Sequence, residues 1–415
     1  MTDANPAAAG FSAARLDLLD AFVKSRYVDA GRIPGALMLL YRRGRIAHLR
    51  ALGLADVERG TPVREDTIFR IYSMTKPLTS VAFMMLVEQG LVALDTPVHA
   101  LIPEWKDLGV YQGGYLGTFR TRRPDRPMLV VDLLRHTSGL TYGFQQMTNV
   151  DAAYRKLDIG EGDKQGTLDD MIEKLATVPL EFSPGSAWNY SVSTDVLGYL
   201  VGKLSGVAFP EFLRSRVLGP LGMNDTGFHV KAGSEQRLAA CYVATAGGKM
   251  KLQDDPARSP YLRPPTMFSG GGGLVSTAAD YLRFCRMLLG GGALDGVRLL
   301  SRKTLELMTM NHLPEGKDLP ALSRSLFSEA TYNGVGFGLG FSVTLDPART
   351  LIPGSAGEFA WGGMASTAFW VDPAEDLIAI FMTQLMPSST YPIRRELRTL
   401  VYSALEDGAP PRAPR

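Results

Sequence analysis

The chain has 415 residues, more than one small hydrophobic core requires, and this length favours two structural lobes. Hydrophobic residues make up 45% and charged residues 21%, which is typical of globular proteins. The 44 basic side chains are nearly balanced by 42 acidic ones, which leaves a net charge of +2. This charge gives no reason to expect nucleic acid or an acidic membrane as a partner.

The N-terminal end has the pattern of a helix followed by two strands. Leu16, Leu19 and Val23 recur on one helical face. Residues 35–41 then have the pattern of a buried strand, and residues 45–52 follow an Arg-Gly turn as its pairing strand. No basic and apolar leader precedes them, so a secretory signal is not predicted.

The middle of the chain has helical spacing in residues 78–88, 168–175 and 194–204, with long Pro/Gly loops between them. One loop carries a basic run, interpreted as a solvated surface because neither interleaved aromatics nor a helical face supports polyanion binding. The run consists of Arg120, Arg122, Arg123 and Arg126.

Strand patterns return at residues 336–343, 366–371 and 377–383, and a helical stripe occupies residues 393–405. In residues 336–343, glycines alternate with apolar side chains, which indicates a strand rather than a dinucleotide loop. The proline-rich tail, residues 407–415, is predicted to be disordered.

Two lobes are therefore predicted, with the active site between them. Both chain ends, residues 1–95 and 216–415, form an α/β lobe. Residues 96–215 form an inserted helical lobe. Cys241 and Cys285 lack metal-ligand spacing, and a reduced pair in a soluble, cytoplasmic protein is the simpler interpretation, although a disulfide between them stays open.

Ser73-Met-Thr-Lys76 lies where an extended segment gives way to a predicted helix. Positions i and i+3 share a helical face, so the Lys76 amine can reach the Ser73 hydroxyl. The first helical turn also offers free backbone N–H groups to an oxyanion. A neutral lysine there can activate the serine as a nucleophile. The tetrapeptide alone is weak evidence, and a capped helix with an exposed lysine explains it as well.

Tyr190 lies in a turn-rich loop, residues 182–192, that leads into the next predicted helix. Considered alone, Tyr190 is interpreted as an aromatic residue of the core. The functional alternative is a phenol that exchanges a proton with Ser73 or with the leaving group. A third segment, Trp361-Gly362-Gly363-Met364, precedes a predicted strand. Its glycines allow a ligand to approach the backbone closely, and an N–H there can complete an oxyanion hole.

In their order and spacing, these segments resemble the penicillin-recognising serine hydrolases with the class C β-lactamase fold, and within them the family VIII carboxylesterases. Further stretches match at residues 133–140, 184–188 and 270–280, and the similarity runs from about residue 12 to residue 405. The resemblance implies an α+β, β-lactamase/transpeptidase-like fold. In this fold, N- and C-terminal helices flank a central antiparallel sheet, and a helical lobe is inserted.

The resemblance also implies the roles of the site residues. Ser73 is the nucleophile, and Lys76 and Tyr190 form its proton relay. The backbone N–H groups of Ser73 and Met364 form the oxyanion hole. Neither a metal nor a cofactor is expected.

Two departures from the β-lactamase pattern bear on the substrate pocket. Val192 stands where β-lactamases usually carry asparagine, and Trp361-Gly362-Gly363 replaces Lys-Thr-Gly. Both changes make the pocket less polar, which favours a neutral ester over an anionic β-lactam or peptide. Slow hydrolysis of some β-lactams stays compatible with the shared acylation machinery.

His136 invites a Ser-His-Asp interpretation, but the chain contains no Gly-x-Ser-x-Gly nucleophile elbow. It is therefore predicted to be a structural histidine at a helix end. The remaining histidines have no metal-ligand spacing. They are His48, His99, His229 and His312.

The leading hypothesis is a carboxylesterase that hydrolyses short-chain acyl esters through an acyl-Ser73 intermediate. The same residues would serve an acyltransferase or a β-lactamase of this fold. A non-catalytic ligand-binding homologue is a third alternative, against which the intact Ser73, Lys76 and Tyr190 speak. The expected partner is a small-molecule ester, with no nucleic acid and no membrane; the oligomeric state and the acyl chain length are left open.

Overall fold

The structure is a computed structural model that describes residues 4–160, 166–324 and 332–406. The predicted disordered tail, residues 407–415, lies outside the described residues. The helices are α1 Ala13–Val23, α2 Thr75–Glu88, α3 Val98–Leu101, α4 Val130–Leu134, α5 Asn149–Lys156, α6 Leu168–Leu175, α7 Ser193–Ser205, α8 Phe209–Phe212, α9 Ala278–Leu289, α10 Arg302–Met308, α11 Leu319–Leu322, α12 Pro347–Thr350 and α13 Ile393–Ser403.

The strands are β1 Gly35–Arg42, β2 Arg45–Asp56, β3 Thr61–Pro62, β4 Phe69–Arg70, β5 Val110–Gly113, β6 Arg120–Arg122, β7 Cys241–Ala244, β8 Met250–Asp254, β9 Val275–Ser276, β10 Ala293–Leu294, β11 Val297–Arg298, β12 Val335–Phe337, β13 Ser342–Thr344, β14 Phe359–Gly362, β15 Ala368–Asp372, β16 Leu377–Met382 and β17 Leu385–Met386. Eight of them form one sheet in the order β12-β13-β14-β15-β16-β1-β2-β3.

This large sheet is antiparallel and is built from both ends of the chain. β1 pairs with β2 on one side and with β16 on the other, so that Leu39 faces Ile380. Strand β1 is apolar on both faces because both are covered. Leu37 and Leu39 enter the larger core, which includes residues of α2, α7 and α9. Met38 and Leu40 enter a second core with residues of α1 and α13. The predicted antiparallel sheet flanked by N- and C-terminal helices is thereby confirmed.

The described residues between 96 and 215 form helices and one hairpin, β5–β6, and contribute no strand to the large sheet. The boundaries of the two lobes at residues 95 and 216 stay a prediction. Cys241 and Cys285 are both buried and free. Across the described ranges, no helix is by itself long and apolar enough to span a membrane; Ser193–Ser205 and Phe209–Leu218 pass that test as a pair, with an 83° bend between them.

The prediction of one strand over residues 336–343 is wrong. The segment forms an antiparallel hairpin instead, with Phe337 opposite Ser342. A Cβ on Gly338 would lie 2.2 Å from the Met308 carbonyl oxygen, and Gly340 has a φ of 101°. Because glycine tolerates both the close approach and the left-handed backbone, the chain reverses where alternation alone predicts an extended strand.

Candidate active site

Ser73 lies in a tight turn, Tyr72–Met74, between β4 and α2. Strand β4 is fixed by its pairing with β9, and the Ile71 N–H donates to the Leu274 carbonyl at 3.1 Å. Tyr72 has a φ of 42°, in the left-handed region that side-chain-bearing residues rarely adopt. Backbone strain of this kind is concentrated at functional sites. The turn places Ser73 in a cavity wall at the N-terminal end of α2.

Lys76 is 2% exposed and points from the first turn of α2 back towards Ser73. Its Nζ donates to Ser73 Oγ at 3.3 Å, to Tyr142 OH at 3.0 Å and to the Gly271 carbonyl oxygen at 2.7 Å. Burial lowers the pKa of Lys76 to about 7, and the negative charge of Asp195 opposes this effect. Near neutral pH, a substantial fraction of this amine is therefore uncharged and able to accept a proton.

Tyr190 approaches the same hydroxyl from the loop before α7. Trp361 Nε1 donates to its hydroxyl at 3.4 Å, and the Lys76 Nζ lies 4.4 Å from the centre of the tyrosine ring. Burial raises the pKa of Tyr190 well above its usual value, while the Ser73 hydroxyl, Trp361 and Arg394 act in the opposite direction. The phenol is therefore protonated at neutral pH.

The segment around His136 packs against the loop that carries Tyr190 and is hydrogen-bonded to it. The Asn189 N–H donates to the His136 carbonyl at 2.9 Å, and Asn189 Nδ2 donates to the Leu140 carbonyl at 3.0 Å. The His136 ring packs 5.1 Å from the Tyr190 ring, and its Nδ1 lies 3.2 Å from Ser191 Oγ. Burial lowers the pKa of His136 far below its usual value, so the ring is neutral. These contacts agree with the structural role expected for His136.

This support is anchored by a buried carboxylate that the sequence analysis did not single out. Asp132 is fully buried and receives hydrogen bonds from Arg126, Arg135 and Thr137. Its pKa is lowered by Arg126, the Leu129 N–H and Arg135, which outweigh the opposing effect of burial. The expectation that the whole basic run is a solvated surface is therefore wrong for Arg126, because its guanidinium pairs with the buried Asp132 carboxylate.

Asp132→Asn is expected to lower the free energy of unfolding by about 3–5 kcal/mol, because it leaves two arginines facing an uncharged buried group. Urea unfolding followed by circular dichroism would measure the change. Asp125→Asn is the matched control, since Asp125 pairs with Arg122 at a site where the carboxylate is 70% exposed. Equal midpoints for the two variants would contradict the structural role of Asp132.

The segment from Trp361 to Met364 forms the other side of the site, where β14 ends. A Cβ on Gly363 would lie 2.4 Å from the Ile71 carbonyl oxygen, so only glycine allows the backbone to pack against the turn that carries Ser73. Trp361, Gly362, Gly363 and Met364 all line the cavity, and Met364 is 40% exposed. Ser73 and Met364 thus line the same cavity.

Val192 does not lie where the pocket prediction puts it. Its side chain is 0% exposed, and it is not among the described residues that line the cavity. It packs against Gly160 so closely that a Cβ on that glycine would lie 2.5 Å from Val192 Cγ1. The chain turns into α7 at this position, so the side chain enters the core instead of facing a substrate.

Three residues that contact or influence Lys76 escaped the sequence analysis: Tyr142, Asp195 and Gly271. Asp195 Oδ1 accepts hydrogen bonds from Ser269 Oγ at 2.5 Å and from the Gly271 N–H at 3.1 Å. The glycine run at residues 270–273, which opens the matching stretch 270–280, therefore supplies a carbonyl acceptor for Lys76. The run of glycines was the signal that the sequence offered for this contact.

The cavity at Ser73 has a volume of about 890 Å³. One part of its wall is aromatic and consists of Tyr142, Phe144, Trp188, Tyr190, Tyr332 and Trp361. Another part is polar and includes Gln253, Asp254, Ser388, Arg394 and Arg395. A cavity of this size and composition can enclose a small ester beside the Ser73 hydroxyl.

Comparison with known proteins places this site in a family. The family model described as Beta-lactamase matches residues 19–403. An uncharacterized protein of Mycobacterium tuberculosis (strain CDC 1551 / Oshkosh) is 39% identical over 362 residues, which cover 86% of this chain and 88% of that protein. Esterase EstB of Burkholderia gladioli is 32% identical over 414 residues, which cover 94% of this chain and 95% of the esterase.

A solved structure agrees with the sequence relatives. EstCE1, a hydrolase with promiscuous acyltransferase activity, superposes with a TM-score of 0.78 at 26% sequence identity, covering 95% of this chain and all of EstCE1. The resemblance to serine hydrolases of the β-lactamase fold is thereby confirmed. This chain belongs to the β-lactamase family and is a serine hydrolase with the β-lactamase fold.

Proposed function

We propose that the protein is a carboxylesterase that hydrolyses short-chain acyl esters through an acyl-Ser73 intermediate, as a family VIII esterase would. The observation that carries this proposal is the convergence on one hydroxyl. Lys76 Nζ lies 3.3 Å from Ser73 Oγ, and the Ser73 hydroxyl is near enough to the Tyr190 phenol to lower its pKa. Ser73 and Tyr190 both line the cavity beside its aromatic wall.

In the acylation step, Ser73 Oγ attacks the carbonyl carbon of the ester while its proton passes to the neutral Lys76 amine. The carbonyl oxygen becomes an oxyanion, which the backbone N–H groups of Ser73 and Met364 stabilise. The C–O bond to the alcohol then breaks, and Tyr190 gives its proton to the leaving alkoxide. Lys76 reprotonates the phenol, so the amine is again neutral when the alcohol departs.

In the deacylation step, a water molecule attacks the acyl carbon and loses its proton to the Tyr190–Lys76 pair. The bond to Ser73 Oγ breaks, the serine regains a proton, and the carboxylic acid leaves. The pair therefore acts once as a base and once as an acid in each step.

The proposal of an uncharged substrate rests on Trp361-Gly362-Gly363, which places an indole and two glycines at the cavity wall, while Arg394 in the polar part of the wall donates to the Gly363 and Thr367 carbonyls. Val192 does not affect the polarity of the pocket, since its side chain is buried in the core. Weak β-lactam hydrolysis belongs to the proposal because the acylation groups would be shared. A cytoplasmic location also belongs to it, since two free buried thiols fit a reducing compartment.

The rate of ester hydrolysis is expected to rise with pH through a midpoint near 7. The uncharged amine is the base in the proposed mechanism, and burial lowers the pKa of Lys76 to about 7. The value of kcat/KM should therefore fall below this pH and approach a plateau above it. Initial rates with p-nitrophenyl butyrate, corrected for spontaneous hydrolysis, would measure the profile.

Lys76→Arg is the control for this pH profile, because a guanidinium keeps its proton throughout the range. Its residual activity should stay low without recovery at alkaline pH. A wild-type profile that is flat across pH 6 to 9 would remove Lys76 from the role of general base.

A side-by-side assay of p-nitrophenyl butyrate and a chromogenic cephalosporin tests the substrate class. The proposal expects fast turnover of the ester, slow or undetectable opening of the lactam, and loss of both in Ser73→Ala. Preferential turnover of the cephalosporin would assign the site to a β-lactamase instead.

Acyl transfer to an alcohol is the second candidate function. It is favoured by the structural similarity to EstCE1, whose description includes promiscuous acyltransferase activity. In this reaction an alcohol takes the place of water in the attack on the acyl-enzyme. Product analysis with p-nitrophenyl butyrate and added alcohols would separate the two functions, because an acyltransferase yields the new ester in excess over butyrate.

A further inference from the structure

We propose that Asp195 is a positioning residue for Lys76: it holds Gly271, whose carbonyl oxygen binds the amine, and it supplies negative charge within this buried cluster. The proposal rests on the role of Lys76 in the proposed function. Asp195 lies in the first turn of α7, five positions after Tyr190, and it is 2% exposed.

The positioning part follows from hydrogen bonds. Asp195 Oδ1 accepts from Ser269 Oγ at 2.5 Å and from the Gly271 N–H at 3.1 Å, and the Gly271 carbonyl accepts from Lys76 Nζ at 2.7 Å. A Cβ on Gly271 would lie 2.5 Å from Asp195 Oδ2 and 2.9 Å from Tyr142 OH. Gly271 is therefore held by the carboxylate through its N–H and binds the amine through its carbonyl oxygen, and a side chain at this position would displace Asp195 or Tyr142.

The electrostatic part follows from the groups that surround the amine. Asp195 stabilises the ammonium form of Lys76 and so raises the pKa that burial lowers. Three other titratable groups lie around the amine, and burial keeps them uncharged near neutral pH: Tyr142, His136 and Tyr190. The positive charge of Arg394, in α13, lowers the pKa of Tyr190, against the larger effect of burial. Among the described residues of this cluster, Asp195 is the source of negative charge.

The test is the pH dependence of covalent labelling of Ser73 by a fluorophosphonate, measured on the full-length chain. Asp195→Asn removes the charge and keeps an oxygen for the two donors. Without the carboxylate, the ammonium form loses stabilisation, so the amine stays neutral to lower pH. The midpoint of the labelling rate is expected to move down by about one pH unit. Asp195→Ser, a smaller neutral replacement, is expected to move it in the same direction.

Ser269→Ala is the matched control because it removes a hydrogen bond to Oδ1 and leaves the charge in place. Its labelling rate should fall at the plateau while the midpoint stays at the wild-type pH. Wild-type midpoints in the folded Asp195 variants, or an equal shift in Ser269→Ala, would overturn the proposal. Ester turnover measured on the same samples keeps the two proposals separate, since labelling reports Ser73 activation even if the wild-type protein hydrolyses no ester.

Discussion

Ser73→Ala is expected to lower kcat/KM for p-nitrophenyl butyrate by more than about 10⁴-fold, the largest effect of any single substitution proposed for this protein. The methyl group cannot form the acyl-enzyme. Lys76 and Tyr190 both converge on Ser73 Oγ, so removing this atom leaves two proton carriers without a nucleophile. Steady-state kinetics and the pre-steady-state burst of p-nitrophenol would measure the loss.

The variant is also expected to be folded, because the Ser73 side chain faces the cavity rather than the core. Thermal unfolding close to that of the wild type would establish this. Fluorophosphonate should label the wild-type chain and leave Ser73→Ala unlabelled. Turnover like that of the wild type in the folded variant would rule out an acyl-Ser73 intermediate.

Tyr190→Phe is expected to lower kcat by about 10²- to 10⁴-fold with little change in KM. The substitution keeps the ring that packs beside Lys76 and Trp361 and removes the hydroxyl that interacts with Ser73. Because the phenol handles a proton in the transition state and does not hold the ground-state substrate, kcat and kcat/KM should fall together.

Tyr142→Phe is the matched control for this experiment. The Tyr142 hydroxyl also contacts Lys76, at 3.0 Å, and its ring lies 5.3 Å from that of Tyr190. If Tyr190 has the relay role, Tyr142→Phe should cause the smaller loss of kcat. A Tyr190→Phe variant that changes KM alone would show that the phenol binds substrate and carries no proton.

The sequence by itself predicted several local elements and the residues at the centre of the site. The apolar run at residues 35–41 predicts a buried strand, and β1 lies inside the large sheet, between β16 and β2, with a core on each face. The i, i+3 spacing of Ser73 and Lys76 brings their polar atoms within 3.3 Å, because a helical turn places such residues on one face. These are local rules, and local sequence is enough to apply them.

The tertiary structure decided which residues surround those groups. Tyr142, Asp195 and Gly271 come from three distant segments and meet at one amine, a convergence that no spacing along the chain encodes. Nor could the sequence predict whether the side chain of Val192 faces the pocket or the core. Val192 shares a motif with Tyr190, yet its side chain is buried in the core where the chain enters α7. Proton affinity at Lys76 depends on burial and on a charge from another helix, and both exist only in the folded chain.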